Sequence, residues 1–472
     1  MNESTLKTWN GLRGKKYLLT LVVVYLAYLT HGIQAIVISQ NSENLQALWG
    51  TNSAGISQAI SYTGLAKFLT VWICGEISDK VGRKKMAAIG AALYAVSFIV
   101  LMTTHSYTLA CVMAFLFGAA TSFFDGSLYA AAQESWIASP GSSVILIKGF
   151  ISVSGTIYPL LVASLRAAGG TAWKTGLILP AVMSVILLIV AIVAPYSYDE
   201  EMKAKKASGQ AVQKKVKGAL DADAQAAAAR FKVPAPKWLV VPLALMGFIN
   251  MSTMYSAQQF LTRYGKAYAG MSDLAASGLT SLYTIGSLAA VLIWAFAMAK
   301  LRWRTLKILM IDLCGSIIFY ALAMLASSTI MIQVAAFAIG FFAAGGALQC
   351  GVTLIQEFHP GPKGRNLGIY YTFMGLSSYI MPVFASAMNR RYIATIVDGN
   401  DLSGVAQRVV DLVNNGTLTP QLVAEGLAAR YCLMINLIFA LLGLLFCLFL
   451  VMNYKKWFGQ SAMAAKNPGE TY

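Results

Sequence analysis

The sequence predicts an all-α integral membrane protein with twelve transmembrane helices in two pseudo-symmetric six-helix halves, and three observations predict it. Of the 472 residues, 57% are hydrophobic and 12% charged, against roughly 25% charged in a soluble domain. No soluble fold hides that much apolar surface. Next, the apolar residues gather into twelve runs, each near the ~20 residues that cross a hydrocarbon core of ~30 Å. Finally, the chain repeats itself at a nearly constant offset. Trp72 matches Trp294, and Ala114-Phe115-x-x-Gly118 matches Ala336-Phe337-x-x-Gly340, at 222 residues; Gln133-Glu134 matches Gln356-Glu357, and Pro159 matches Pro382, at 223. A shared offset is the mark of a duplicated six-helix unit.

The elements follow in order. Residues 1–16 form a polar, basic N-tail, and the run Tyr17 to Ser39 is too long for a cleaved signal, so it reads as a retained first span. Ala54 to Glu76, Met86 to Thr104, Tyr107 to Gln133, Val144 to Leu165 and Trp173 to Pro195 complete the first half, 17–195. Residues 196–237 turn to Lys, Glu, Ala and Gln, the composition of a helical linker on the cytoplasmic surface. The second half, 238–453, has spans at Trp238 to Thr262, Ser272 to Ala299, Thr305 to Ala326, Thr329 to Gln356, Asn366 to Met388 and Tyr431 to Asn453. Between the last two lies an external insertion, 389–430, read as a small helical cap with a turn at Asn414-Asn415-Gly416. Residues 454–472 form the C-tail.

Charge fixes the orientation. The net charge of +17 and pI near 9.5 raise the question of a nucleic-acid partner. Placed against the spans, 27 of the 36 Lys and Arg fall on the side of the N-terminus, 8 on the other, and Lys67 inside a span. That asymmetry puts both termini in the cytoplasm and explains the charge without nucleic acid. The six cysteines lie in or beside apolar runs without metal-ligand spacing and read as small core residues. No Walker loop, nucleophile elbow or His/Cys cluster is present. No cofactor or metal is expected, and neither an enzyme nor an ATP-driven pump fits.

Between the second and third spans stands Gly75-Glu76-Ile77-Ser78-Asp79-Lys80-Val81-Gly82-Arg83-Lys84-Lys85. Physically, Gly75 suits a close helix approach, Asp79 a neighbouring helix N-terminus and Gly82 a tight turn. The pattern Gly-x-x-x-Asp-Lys-x-Gly-Arg-Lys-Lys resembles the loop between helices two and three of the major facilitator superfamily, at every defining position. In the second half, Lys300-Leu301-Arg302-Trp303-Arg304 keeps the charge and has lost the Gly and Asp. The resemblance implies that fold, a monomer in the cell membrane, here a bacterial inner membrane, and a small-molecule substrate bound between the halves. It also implies inner latches. Glu134 and Glu357 end spans four and ten within reach of Arg83 to Lys85 and of Arg302 to Arg304, and Asp79 would cap span eleven near Asn366.

Ionisable side chains within the hydrocarbon are costly and therefore mark function by default. Asp125 lies nine residues before Glu134, ~13.5 Å along the helix. Lys67 lies twelve before Asp79, ~18 Å. Both depths are close to the bilayer centre. Burial favours a neutral carboxyl, the property a proton-coupling group needs, and a fixed ion pair is the alternative for Asp125. In the resembled fold helices two and four pack together, so Lys67 and Asp125 can meet; Lys67 is either a substrate ligand or a permanent counter-ion. Tyr28, His31 and Gln34 form one polar stripe, extended by Tyr25, on a helix that lines the cavity in that family. The second half offers Asn250, Tyr255, Gln258 and Gln259 on span seven, Gln349 and Thr353 on span ten, and Tyr370, Ser377, Ser378 and Tyr379 on span eleven, some of which only join helices. Asp312, on a peripheral span, is expected to pair with Arg304 or Lys307.

The reading is a secondary transporter working by alternating access, a proton-coupled symporter for a small polar, anionic organic solute. A multidrug/proton antiporter of the same fold is the alternative. Span five reads Gly149-Phe-Ile-Ser-Val-Ser-Gly155-Thr-Ile-Tyr158-Pro159, without the Gly-Pro pair that antiporters of that type carry. A receptor or scaffold on the same fold would bring long soluble domains, and none is visible.

Overall fold

A computed structural model describes residues 16–136, 140–207, 230–326, 328–359, 363–403 and 405–465. Every regular element among them is helical, the arrangement that satisfies backbone N–H and C=O groups where no water reaches. The chain divides into two compact units, one of Met1–Asn52 with Tyr62–Lys217, the other of Ser53–Ser61 with Gly218–Tyr472. Ten helices among the described residues are long and apolar enough to cross a membrane. Ser53–Val81 and Lys363–Tyr392, which hold the second and eleventh expected spans, have the length at 29 and 30 residues but a more polar composition.

The first unit contains α1 (Leu18–Gln40), α2 (Ser42–Trp49), most of α3 (Ser53–Val81), α4 (Arg83–Thr103), α5 (Tyr107–Asp125), α6 (Leu128–Ser135), α7 (Pro140–Ala167), α8 (Thr175–Val193) and α9 (Ser197–Ala207). The single helix expected from Tyr107 to Gln133 is broken at Gly126 and Ser127. A Cβ on Gly126 would come within 2.8 Å of backbone atoms of Cys74 and Gly75, so the break is where α3 presses against the fourth span. Gly75 itself faces open space, and the close approach assigned to it belongs to Gly126. Helix α7 begins at Pro140, four residues before the expected Val144, and Lys148, which the charge count assigned to a cytoplasmic loop although it lies within the expected span, sits inside the helix.

The second unit contains α10 (Val240–Ala269), α11 (Asp273–Ala299), α12 (Thr305–Leu325), α13 (Thr329–Ile339), a π-helical turn at Gly340–Ala344, α14 (Ala347–Phe358), α15 (Lys363–Tyr392), a second π-helical turn at Ile393–Asp398, α16 (Gln407–Asn414) and α17 (Pro420–Phe458). The tenth span is thus interrupted as the fourth is, just before Ala347. The repeated glycines explain part of the symmetry. A Cβ on Gly118 would collide with the Thr63 carbonyl oxygen, and one on Gly340 with that of Tyr283, so both units use the same residue to bring two helix backbones into contact.

Much of the external insertion is helix: α15 runs to Tyr392 and α17 starts at Pro420. Between them α16 ends at a turn where Gly416 has φ 69°. Ile396, Val409, Leu418, Val423 and Leu427 make a small core of their own. Of the cysteines, four are buried, Cys111 is half-buried and Cys314 is exposed, so Cys314 is not a core residue. The 208–229 part of the linker lies outside the described residues.

Candidate functional site

The first unit gathers its intramembrane polar groups around Asp125. Lys67 Nζ lies 3.6 Å from Asp125 Oδ2, each side chain about a quarter exposed at 26% and 25%. Tyr28, fully buried, donates its hydroxyl to Asp125 Oδ1 at 3.0 Å and packs edge-on to Tyr129, ring centroids 5.1 Å apart. The stripe on α1 turns one helical face towards α3, α4 and α5: at its next turns His31 Nδ1 and Gln34 Oε1 lie 3.0 and 3.2 Å from the Tyr94 hydroxyl. That hydroxyl is also 2.8 Å from Thr121 Oγ1. Tyr25 stacks on Phe150 of α7 at 4.8 Å. The structure therefore brings together Tyr28, His31, Gln34, Lys67 and Asp125 from three helices. Tyr94, the hub between His31 and Gln34, was not singled out in the sequence because a tyrosine in an apolar span looks like core.

Nearer the expected cytoplasmic end, Arg83 organises a second cluster. Its guanidinium bonds Ser78 Oγ at 2.7 Å, Asp79 Oδ1 at 2.8 Å and Glu134 Oε1 at 3.1 Å, and it lies 4.3 Å over the Tyr198 ring. The Arg83 side chain is 7% exposed, that of Asp79 67%. Gly82 has φ 104°, in the left-handed region that only glycine adopts without strain. The N-terminus of α4 is taken by Asp199, whose Oδ2 accepts from the Arg83 backbone N–H at 2.9 Å; a carboxylate there meets the unsatisfied N–H groups and the positive end of the helix dipole. Asp79, expected at a helix N-terminus, pairs with Arg83 four residues on, and its backbone carbonyl accepts from the Tyr198 hydroxyl at 2.7 Å. Nothing in the local sequence marks Asp199 or Tyr198, because both lie more than a hundred residues from their partners. The Asn366 side chain, the expected partner of Asp79, lies outside the described residues.

In the second unit Asn250 donates to the Ala347 carbonyl at 2.8 Å and to the Tyr370 hydroxyl at 3.0 Å. Both side chains are fully buried, tying α10, α14 and α15 together. Ser252 and Ser377 hydroxyls lie 2.8 Å apart beside them. Tyr255 is buried, Gln258 and Tyr379 are half-buried and Gln349 is exposed. At the end of α14, Glu357 accepts from Tyr454 at 2.6 Å and from Arg230 at 3.4 Å. Arg304 donates to the same Tyr454 oxygen at 3.1 Å, while Arg302 is exposed with φ 53°. Asp312 departs from expectation: fully buried, it accepts from Trp294 Nε1 at 3.0 Å. Arg304 and Lys307 lie at the start of α12, where Lys307 sits 4.1 Å over the Trp303 ring, one to two turns short of Asp312.

Comparison with known proteins places these clusters in context. A family model described as the Major Facilitator Superfamily matches residues 18–382. The inner membrane transport protein YdiM of Escherichia coli (strain K12) is 30% identical over 385 residues, 81% of this chain and 90% of YdiM. The MFS-type transporter YfkL of Bacillus subtilis (strain 168) is 30% identical over 386 residues, 81% of this chain and 89% of YfkL. Among solved structures, a D-xylose–proton symporter superimposes with a TM-score of 0.61 at 15% identity, over 88% of this chain and 97% of the other. At that identity the likeness speaks to fold.

Proposed function

The chain belongs to the Major Facilitator Superfamily and is a multi-pass membrane transporter, not an enzyme, and from that premise we propose that it moves a small polar, anionic organic solute by proton-coupled symport. The observation that carries this reading is the Lys67–Asp125 pair, 3.6 Å apart and partly accessible. A charge pair within a membrane span is costly to keep, and this one sits among hydrogen-bonding groups from three helices. In the proposed cycle Asp125 neutralises Lys67 when empty; protonation frees Lys67 for the anionic group of the solute, so proton and solute enter together. Tyr28, His31 and Gln34 supply the polar wall, and Asn250, Tyr255, Gln258, Gln349, Tyr370 and Tyr379 the second half's share.

The cytoplasmic latches are Asp79, Arg83 and Glu134 on one side and Arg302, Arg304 and Glu357 on the other, with Gly82 shaping the turn before α4. The proposal has the protein act as a monomer in a bacterial inner membrane, with both termini in the cytoplasm. The test is uptake into proteoliposomes under an imposed pH gradient, after a thermal-shift screen of organic acids, amino acids, sugars and cationic drugs has found a stabilising solute. Accumulation of an anion driven by an inward proton gradient is expected. Export of cationic drugs on the same gradient would replace this reading by the antiporter.

A further inference from the structure

Lys148 is a second cation within the membrane-spanning part of the first unit, beside Lys67, and the cycle above makes no use of it. It lies eight residues into α7, ~12 Å from that helix's start. Helices α1 and α7 run side by side in parallel. Tyr25 donates to the Ser143 carbonyl at 3.4 Å and stacks on Phe150, Gly32 lies against Ile151 and Ser154, and Asn41 donates to the Tyr158 hydroxyl at 3.0 Å. That register sets Lys148 near the depth of Tyr25 and Tyr28, about one turn from His31. His31 is within electrostatic reach of Lys67, Asp125 and Lys148 alike. Lys148 is half-buried, and among the described residues no hydrogen bond or ion pair reaches it.

The charges around His31 do not balance. Lys67 and Asp125 cancel, which leaves the cluster one positive charge in excess through Lys148. Protonating Asp125 raises the excess to two. An uncompensated cation in a low-dielectric setting is unfavourable, and among the described residues the cluster offers no further carboxylate. A bound anion would supply the missing charge.

We propose that Lys148 is a second anion-holding group of this cluster, and that the transported solute is a dianion, a small dicarboxylate, held by Lys148 and Lys67 together. The inference rests on the anionic reading given above and narrows it. With Asp125 ionised the site carries a single excess charge and holds a dianion weakly; with Asp125 protonated the charges match. Tight binding of the dianion and proton uptake then become one event.

The test uses matched acids that differ by one charge, succinate with succinamate and phthalate with phthalamate, and measures their binding to the purified wild type, Lys148→Gln, Lys148→Arg and Lys67→Gln by thermal shift and direct titration. In the wild type one dianion is expected to bind about tenfold tighter than its monoamide, the effect of one additional charge-assisted contact. Lys148→Gln should abolish that preference and Lys148→Arg restore it. Equal binding of both members of each pair, unchanged in Lys148→Gln, would overturn the assignment and leave the anionic reading standing, as would a wild type that binds monocarboxylates and no dianion. Stabilisation by neutral solutes alone would end the anionic reading itself. A solute-free measurement stands beside these: the thiol of Lys148→Cys must react with a sulfonate-bearing methanethiosulfonate added from water, and a thiol that stays unreactive in folded protein overturns the proposal.

Discussion

Lys67 and Tyr28 share the Asp125 carboxylate: Lys67 Nζ is 3.6 Å from Oδ2, and the tyrosine hydroxyl donates to Oδ1 at 3.0 Å. Removing either charged partner therefore has an asymmetric result. Loss of the carboxylate charge leaves Tyr28 able to bond an amide oxygen, whereas loss of the ammonium leaves an anion with one neutral donor.

Asp125→Asn is expected to bind solute and to catalyse exchange, with less pH dependence than the wild type, while losing accumulation driven by a pH gradient. Counterflow and gradient-driven uptake in the same vesicles separate the two. Accumulation that survives would move the proton site to His31 or Glu134.

Lys67→Ala is expected to abolish anion binding and to lower thermal stability, since an unpaired buried charge costs ~3–5 kcal/mol, reduced here by the partial exposure of both side chains. Binding titrations and melting curves read both effects.

Arg83→Ala should impair transport and destabilise the protein more than Asp79→Asn. Arg83 is buried and holds Ser78, Asp79 and Glu134, and stranding a buried partner costs ~1–3 kcal/mol. Asp79 is largely exposed, where an ion pair contributes ~0–1 kcal/mol. Solute affinity should change little in either. Binding in detergent that falls in step with uptake would remove this loop from gating.

Gly118→Val and Gly340→Val should each destabilise by ~1–3 kcal/mol or more through overpacking, because the added carbon meets a carbonyl oxygen of the adjoining helix. Gly75→Ala should be tolerated in folding, since its Cβ faces open space. Relative melting temperatures decide it.

Asp312→Asn should fold as well as the wild type and transport normally. The amide oxygen can still accept from Trp294, and among the described residues Asp312 Oδ2 has no hydrogen-bond partner to lose. Trp294→Phe is the costlier change, at ~1–3 kcal/mol for stranding a buried acceptor. A transport defect in Asp312→Asn would bring this carboxyl into the cycle.

Parts of this architecture were legible because a helix converts sequence distance into depth. Lys67 and Asp125 were matched in depth by residue counting alone, and Arg83 and Glu134 by lying at span ends. The repeat that matches Gly118 with Gly340 marked a duplicated unit, while their part in bringing helix backbones together is seen only in the structure. Partnerships across distant loops were not legible: Asp199 at the start of α4, Tyr94 between His31 and Gln34, and Trp294 on Asp312 each depend on which faces meet in three dimensions. Repetition also misleads, since Trp72 is 61% exposed while its counterpart Trp294 is 7% exposed. The breaks after Asp125 and before Ala347 leave no proline in the sequence to announce them. They arise where a glycine backbone meets another helix.

The first of those breaks has a mechanical meaning. Asp125 is the last residue of α5, and the chain bends immediately after it. Below the bend, α6 is a stub of eight residues that carries Glu134. Under the proposed coupling, the carboxyl that takes up the proton is also the fulcrum on which this stub pivots, so the charge that releases Lys67 and the torque that tugs on Arg83 originate in one turn of backbone. The second unit bends at the same place, at Gly345 and Gly346 before α14, and a carboxylate stands there too, but on another helix: Asp312 of α12 lies against Gly346 and accepts from Trp294. In the first unit the acid is carried by the bending segment itself, in the second it is held beside the bend by a neighbour, so the two bends are built alike and charged differently.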